Sequence, residues 1–549
     1  MEDFVVQLRN DKLDLYKKDY HEMVAAYNRE VATTSGYNGR QILELLQNCD
    51  DQKSENVEIK IDKENNLFSI ANKGMPFSKE GYRSLATSNL SSKIDKTQYI
   101  GNKGLGFRSI LNWCDEVSIY SNGFRVKYSY ENKNKTFEDT FEDAIKDEIR
   151  EAYKIPKIIC PIPILSVPEI KKTDKYKEFA TVVELNYKPG VLESILKQIE
   201  AITSETILFL HHIKSIKFIG FQNKLDINIE RTTNELAVGS MQKIVNNEEI
   251  WDVFEEEGVL PEEYQNIQGI TENYHIRLAV PRNKPKSSYK LYSFFATNIS
   301  LNFPYIIHAT FDLDQNRKHL ENSDKNKFVV SKLTQLMCKM ALFKTEDEVN
   351  WSAFKLLQYN GQNENLQELG FYENLDKVLR EEKIIPCASE TYYSQDEVVY
   401  LDEDFANLIQ EGNGGKIFTE HIKPVFSGIN LEVFRPKYNA YSNFVETIDS
   451  WSLSITDINF RAKLTQYLVR RNNLKNLSDS FNILINKDSK VIDKENEIFT
   501  HLNDDLEIPD YCLIEVLHPL LFDSLIGVFK INEDPTKRKS KEKLERNWR

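Results

Sequence analysis

The sequence predicts an α+β fold, and three observations support this class. Residues 1–40 are charged and helix-prone, and residues 41–51 carry apolar side chains at helical spacing. Residues 57–61 alternate weakly between apolar and polar side chains, and residues 67–70 have the character of a hairpin partner. Further candidate strands follow up to about residue 313, so we expect helices and strands within the same domains.

The length of 549 residues is enough for about three domains. We expect a first domain at residues 1–213, a second α/β domain at 214–345 and a mixed, mostly helical region at 346–549. The last fifteen residues are charged and suggest a linker or the cut end of a longer protein. In the second domain, the best strand candidates are residues 215–219, 275–280, 289–296 and 305–313.

Composition narrows the class of protein. Hydrophobic residues make up 40% of the chain, which allows sizeable cores, and the net charge of −14 does not indicate a nucleic-acid partner. A local basic patch is still compatible with that charge. The six cysteines are widely spread without zinc spacing, so we expect reduced thiols and a cytoplasmic location. We recognise no signal peptide and no membrane span, and expect no membrane partner.

Residues 44–51 read Glu-Leu-Leu-Gln-Asn-Cys-Asp-Asp and form the most informative stretch. Helical spacing puts Glu44, Asn48 and Asp51 on one face of a helix. A carboxylate can orient and deprotonate water, and an amide oxygen is a hard ligand that Mg²⁺ accepts. This face therefore suits a metal-bound triphosphate and an attacking water. An ordinary amphipathic helix with a wet polar face is the alternative.

Two further motifs follow in order. Asn72 ends a predicted strand, and Gly74 would let a nucleotide base approach the backbone while the amide recognises its edge. An ordinary turn is the alternative there. The glycines of residues 101–106 precede an apolar helical start, and the backbone N–H groups of such a loop can cradle phosphates. Their spacing fits neither the dinucleotide nor the Walker pattern.

The ordered set Glu-x-x-x-Asn-x-x-Asp, Asn-x-Gly and Gly-x-x-Gly-x-Gly-Phe resembles the GHKL ATPases, which include gyrase B, the heat-shock-90 chaperones, histidine kinases and MutL. Within them, residues 43–51, 103–109 and 315–317 are most similar to the sacsin and NO VEIN type. The resemblance implies a Bergerat-type α/β sandwich for the first domain. It also implies a transducer domain, similar to the second domain of ribosomal protein S5, after it.

The resemblance implies ATP and Mg²⁺ as cofactors, and a role for each matching residue. Glu44 would be the general base, Asn48 the ligand of Mg²⁺, and Asp51 a support for the base or the ring-side waters. Arg317 would reach the γ-phosphate from the second domain, with Lys318 or a plain surface arginine as alternatives. The residues implied to contact ATP are Asn48, Asp51, Asn72, Gly74, Met75, Ser92, Lys93, Gly101, Asn102, Lys103, Gly104, Leu105, Gly106, Phe107 and Thr181.

One residue departs from the family pattern. Most GHKL proteins have Asp where this chain has Asn72, and a neutral amide accepts the adenine N6 hydrogen bond less strongly than a carboxylate. We therefore expect weaker ATP binding, and the resemblance implies adenine less firmly than it implies the phosphates.

The expected function is an ATP-dependent conformational switch of the heat-shock-90 or sacsin kind. It would be a slow ATPase with a protein partner or client, whose output is a change of shape or dimerisation. The Lys-, Asn- and Ile-rich composition suggests a microbial source. With that source, the resemblance to stand-alone ATPases implies a role in antiviral defence. The alternatives are a DNA-linked ATPase of the MutL or topoisomerase kind and a catalytically weak, nucleotide-sensing scaffold.

Overall fold

The computed structural model confirms the predicted α+β class, since helices and a large mixed sheet occur together. It describes residues 1–36, 39–87, 106–235, 240–246, 249–265, 271–283, 285–314, 319–345, 348–359, 361–400, 402–425, 428–429, 444–470, 482–492, 497–499, 511 and 514–523. The chain divides into two compact units, one comprising Met1–Leu336 with Tyr359–Tyr372 and the other Met337–Gln358 with Glu373–Arg549.

The described helices begin with two in the charged, helix-prone residues 1–40. They are α1 (Glu2–Lys18), α2 (Tyr20–Gly36), α3 (Gln41–Asp51), α4 (Lys79–Ala86), α5 (Tyr130–Thr140), α6 (Asp143–Tyr153), α7 (Leu192–Glu200), α8 (Asp324–Phe343), α9 (Ser352–Leu357), α10 (Glu364–Glu368), α11 (Phe371–Glu381), α12 (Glu403–Glu411), α13 (Phe444–Ser454) and α14 (Ile458–Arg470). None of them combines the length and apolar character that crossing a membrane requires.

The first unit is built on a sheet of fourteen described strands. In chain order they are β1 (Asn56–Asp62), β2 (Leu67–Asn72), β3 (Cys114–Ser121), β4 (Phe124–Ser129), β5 (Glu169–Lys172), β6 (Thr181–Tyr187), β7 (Ser215–Ile219), β8 (Ile227–Glu235), β9 (Ser240–Asn246), β10 (Glu249–Val259), β11 (Asn273–Pro281), β12 (Tyr289–Ser293), β13 (Phe295–Leu301) and β14 (Ile306–Ala309). Across the sheet they are ordered β13-β12-β14-β11-β10-β9-β8-β7-β1-β2-β6-β3-β4-β5.

Strands β1 and β2 form the predicted antiparallel hairpin, and β1 also pairs in parallel with β7. Val57, Ile59 and Ile61 point into the core, whereas the side chains between them are more exposed. This alternation is the pattern of a half-buried strand. Strand β2 is buried along most of its length, because it lies between β1 and β6 inside the sheet. Asn72, its last residue, is therefore held at a well-packed strand end.

Several predicted elements differ from the structure. The predicted strand at residues 289–296 is two strands, because the backbone turns at Phe294, where φ is +61°. The predicted strand at 305–313 is shorter and ends at Ala309. The apolar helical start after the glycine-rich loop is a 3-10 helix, Gly106–Asn112. Strands β8, β9 and β10 were not predicted, because their many polar residues hide the alternation and pairing with neighbouring strands decides their conformation.

The second unit has its own apolar core. Phe405, Phe418 and Trp451 pack together there, with residues of α12, α13 and α14 around them. Two short strand pairs complete the described part of this unit, namely β15 (Ile385–Pro386) with β16 (Tyr392–Tyr393) and β17 (Glu497–Phe499) with β18 (Ile514–Val516).

Candidate functional site

Helix α3 carries the first group of predicted site residues, and the structure buries most of them. Glu44 is 5% exposed and Asp51 is 4% exposed, while Asn48 is half-buried. Leu45 and Leu46 are buried in the main core of the unit. The alternative of a wet polar face on an ordinary surface helix therefore does not hold. Carboxylates are rarely buried unless their charge is paired or used, so the burial marks this helix as chemically distinctive.

The loop after β2 is attached directly to the end of α3. The side-chain amide of Asn72 donates from Nδ2 to Oε1 of Gln52 (2.9 Å), and the backbone N–H of Met75 donates to the carbonyl oxygen of Gln52 (2.7 Å). The backbone N–H of Lys73 donates to Oγ of Ser54 (3.1 Å). The first two predicted motifs thus form one hydrogen-bonded unit, which we call the Asn72 loop junction. The sequence alone does not single out Gln52 and Ser54, since neither belongs to a recognised motif.

Gly74 is required by the close approach of this loop to α3. A Cβ atom at this position would lie 2.1 Å from the carbonyl oxygen of Gln52 and 2.7 Å from the backbone nitrogen of Ser54. Both atoms belong to the backbone, so they cannot rotate away as a side chain could. The glycine therefore lets the loop pack against the helix end.

Asn72 and Thr181 lie directly opposite each other on the paired strands β2 and β6. Thr181 is in turn opposite Ser121 on β3, with 3.5 Å between the two side-chain oxygens. Ser121 accepts the backbone N–H of Phe77 (3.0 Å) and donates to the carbonyl oxygen of Ala180 (2.7 Å). The three side chains are buried. Ser121 has no sequence signal of its own, because only the strand register brings it into this row.

The side chain of Asn72 already has partners at both ends. Its Oδ1 accepts the backbone N–H of Gly74 (3.1 Å), and its Nδ2 donates to Gln52. An amide oxygen has two lone pairs, so Oδ1 can accept one further hydrogen bond. That lone pair is what would accept an adenine amino group. The internal bond to Gly74 also orients the amide, which the sequence alone does not predict.

Part of the predicted phosphate-binding segment lies outside the described residues. This applies to Ser92, Lys93, Gly101, Asn102, Lys103, Gly104 and Leu105. Gly106 begins the 3-10 helix, and Phe107 is buried in the main core. The next residue, Arg108, is buried and donates from its guanidinium to the carbonyl oxygens of Ser84 (3.4 Å) and Leu85 (2.9 Å) near the end of α4. The described end of this segment is thereby attached to α4.

Arg317 and its alternative Lys318 also lie outside the described residues. The chain on either side is held by Lys325, whose ammonium contacts Glu272 (3.1 Å) and Asp312 (2.9 Å). Asn326 donates to the backbone carbonyls of Asp312 (2.8 Å) and Glu321 (2.7 Å). These contacts attach Asp312 and Glu321, which are described residues before and after the undescribed 315–318, to the start of α8.

Two observations concern metals and thiols. No group of three or more His, Cys, Asp or Glu side chains among the described residues could hold a metal ion. Cys49, on the motif helix, is buried, and burial raises the pKa of its thiol to about 12. Such a thiol stays protonated at neutral pH and packs as a small apolar residue rather than acting as a nucleophile.

The chain has limited similarity to known proteins. No family model matches the chain. The protein NO VEIN of Arabidopsis thaliana is 38% identical over 90 residues, which is 16% of this chain, and the chain covers only 3% of that protein's length. Among solved structures, the ATPase region of topoisomerase II from Saccharomyces cerevisiae aligns over 51% of this chain and 75% of that one, with 11% identity and a TM-score of 0.27. A TM-score this low carries no argument about fold or function.

Proposed function

We propose that this chain binds ATP with Mg²⁺ and hydrolyses it slowly, as a conformational switch. The observation that carries the proposal is the buried polar side of α3, where Glu44 and Asp51 flank Asn48 and the Asn72 loop is hydrogen-bonded to the helix end. The proposal also draws on the resemblance of the three ordered motifs to the GHKL ATPases.

In this proposal Glu44 is the general base. Its low exposure keeps bulk water away from the carboxylate, so a water molecule held beside it would be oriented before it attacks. Asn48 follows one helical turn later, close enough to share a ligand with Glu44. The aligned N–H groups of a glycine-rich loop would supply the phosphate contacts, with the predicted residues 92, 93 and 101–107 in that role.

The described donors fit a magnesium ion that is bound mainly through phosphate and water. One amide oxygen, from Asn48, is the kind of hard ligand that Mg²⁺ accepts while it keeps several water molecules. Because water and phosphate would supply most of the ligands, a site of this type needs no cluster of three protein carboxylates. The single amide oxygen of Asn48 on α3 is compatible with such a site. When bound, the ion would offset phosphate charge, and Arg317 would add a second positive charge at the γ-phosphate.

Base recognition in this proposal depends on the second lone pair of Asn72 Oδ1. The amide is fixed by Gln52 and Gly74, so it needs little reorganisation to accept an adenine amino group. It lacks the negative charge of an aspartate, so the affinity should be lower than with that residue. Thr181 and Ser121 continue the polar row beside it and would hold ring-side water.

The finer parts of the proposal concern what the switch acts on. A heat-shock-90 or sacsin-like action on a protein client, dimerisation on ATP binding and a role in antiviral defence are proposed from the resemblance and composition alone. A DNA-linked ATPase of the topoisomerase or MutL kind is the competing function. Stimulation of turnover by DNA, compared with stimulation by candidate protein partners, separates the two.

The test of the proposed chemistry is steady-state ATP hydrolysis with Mg²⁺, with nucleotide binding measured in parallel. Glu44→Ala and Glu44→Gln should lower kcat by ~10²- to 10⁴-fold and leave binding nearly unchanged, because they remove only the base. Glu64→Gln is the matched control, since Glu64 is exposed in the hairpin turn. Equal turnover in wild type and both Glu44 variants would contradict the proposed base. Binding without turnover in all proteins would favour a nucleotide-sensing scaffold.

A further inference from the structure

Asp50, next to the predicted site residue Asp51, fastens α3 to a distant part of the chain. Its carboxylate is 1% exposed and accepts three backbone N–H groups, from His211 (2.9 Å), His212 (2.8 Å) and Ile213 (2.9 Å). Adjacent residues of an α-helix point about 100° apart. Asp50 therefore faces away from the direction of Asp51. The carboxylate is satisfied by the segment 207–213, which we call the bridging segment.

The carbonyl groups of the bridging segment contact two arginines from later strands. Arg231 of β8 donates to the carbonyl oxygens of Ile207 (3.1 Å), Leu210 (3.0 Å) and Ile213 (3.2 Å). Arg277 of β11 donates to the carbonyl oxygen of Phe209 (3.1 Å) and pairs with Glu255 of β10 (3.3 Å). The segment thus has an anion on its N–H side and two cations on its carbonyl side.

This arrangement is electrostatically consistent. In the peptide that joins Leu210 to His211, the N–H points at the Asp50 carboxylate and the C=O points at the Arg231 guanidinium, so both charges polarise it in the favourable direction. Burial lowers the pKa of Arg231 and of Arg277, and the negative charge of Asp50 acts in the opposite direction on both. The charge of Asp50, together with that of Glu255 in the case of Arg277, offsets part of the cost of burying these guanidinium groups.

We propose that Asp50 is a positioning residue that couples the nucleotide site to strands β8 and β11 through the bridging segment. This inference rests on the proposed function. Asn48, Asp50 and Asp51 share the last turn of α3, so a small movement of that turn on nucleotide binding moves the Asp50 carboxylate as well. The carboxylate carries the N–H groups of residues 211–213 with it. The carbonyl of Leu210, in the same peptide as the His211 N–H, and the neighbouring carbonyls of the bridging segment then change their contacts with Arg231 and Arg277.

The reverse effect is equally required. If the two ends of the segment are coupled, weakening the contacts at the arginine end should also change the affinity for the nucleotide. A purely structural fastening predicts neither effect. It predicts only that breaking the contacts lowers the stability of the fold.

The experiment is hydrogen exchange of the backbone amides of residues 211–213 in the full chain, with and without Mg²⁺ and ATP, beside calorimetric titration of the nucleotide. In wild type, saturating ATP should change the exchange rate of these amides at least about fivefold, the lower end of ordinary coupling strengths. Asp50→Asn should abolish that change while some nucleotide binding persists. Asp62→Asn is the matched control, because Asp62 also accepts backbone N–H groups, but in the exposed hairpin turn.

A second variant keeps the test meaningful if Asp50→Asn does not fold. Arg231→Gln leaves α3 unchanged and should lower ATP affinity by about the same fivefold factor. Calorimetry that detects no nucleotide binding to wild type would sink the proposed function and, with it, this inference. Clear binding with unchanged exchange at residues 211–213, or unchanged affinity in Arg231→Gln, would overturn the coupling alone.

Discussion

Helix α3 touches two regions that are held in different ways. The Asn72 loop junction uses short, neutral hydrogen bonds between groups near one end of the helix, and it depends on the close approach that Gly74 allows. The bridging segment uses charged groups that come from α3, β8 and β11. Close steric fit therefore holds the Asn72 loop junction in place, whereas contacts between opposite charges hold the bridging segment. The two regions should therefore fail under different perturbations.

The largest expected effect is steric and belongs to the Asn72 loop junction. Gly74→Ala should cost about 3 kcal/mol of unfolding free energy, because the added methyl group meets backbone atoms that cannot move aside. Urea denaturation measures it. Gly123→Ala is the matched control, with φ at +76° and no described atom within 4 Å of the position that its methyl group would take, so it should cost only about 1 kcal/mol of backbone strain. Equal costs would show that the contact with α3 is not what requires Gly74.

The next effect is electrostatic and belongs to the bridging segment. Burial, together with the nearby positive charges of Arg277, His275, His212 and Arg231, lowers the pKa of His211 to about 3. His308, stacked on Phe209, is fully buried, and its pKa also lies well below the usual value. Each pKa is depressed in the folded state, so the unfolded chain binds more protons below the ordinary value of 6.5. The stability that these two histidines contribute is therefore fully present above pH 6.5 and is lost as the pH falls towards 3.

The pH dependence has a direct measurement. Lowering the pH from 7 to 5 should reduce the free energy of unfolding by up to about 2 kcal/mol for each histidine that stays neutral in the folded state. His211→Gln should reduce the difference between the two pH values by about that amount, as followed by urea denaturation. His21→Gln, at an exposed position on α2, should leave the difference unchanged. If wild type and His211→Gln lose the same amount of unfolding free energy at pH 5, His211 is not a source of the pH dependence.

The smallest effect tests the polar row beside Asn72. Thr181→Val removes a hydroxyl group whose described contact with Ser121 is 3.5 Å long, so folding stability should change little. If the row holds ring-side water, ATP affinity should fall about fivefold, the equivalent of about 1 kcal/mol for one lost hydrogen bond. Thr181→Ser should restore the affinity in the same calorimetric titration. Unchanged affinity in Thr181→Val would separate this residue from the nucleotide site.

The sequence predicts α3 and the hairpin of β1 and β2 well, because both follow local patterns. Apolar residues recur at helical spacing in the first and alternate in the second. It also places Asn72 at the strand end, where the structure has it. The order of the motifs leads to Glu44, Asn48 and Asp51, but their burial follows from tertiary packing and could not be read from spacing.

The bridging segment could not be predicted in the same way. Asp50 bonds to backbone N–H groups, which every residue except proline carries, so its partners leave no mark in the sequence. One signal was available. Two adjacent acids on a helix cannot share a face, so Asp50 had to point elsewhere if Asp51 faces the site. The strands β8 to β10 escaped prediction for a similar reason, since pairing rather than local pattern defines them.

Helix α3 is proposed to carry a site for ATP and Mg²⁺, and a calorimetric titration is the direct test for that site. Calorimetry of the full chain with ATP, in Mg²⁺ and then in EDTA, should show tighter binding with the metal for wild type. Asn48→Ala should lose most of that difference, because the proposed protein ligand of the ion is gone. Absence of binding in wild type, or a metal dependence that Asn48→Ala leaves intact, would contradict the account.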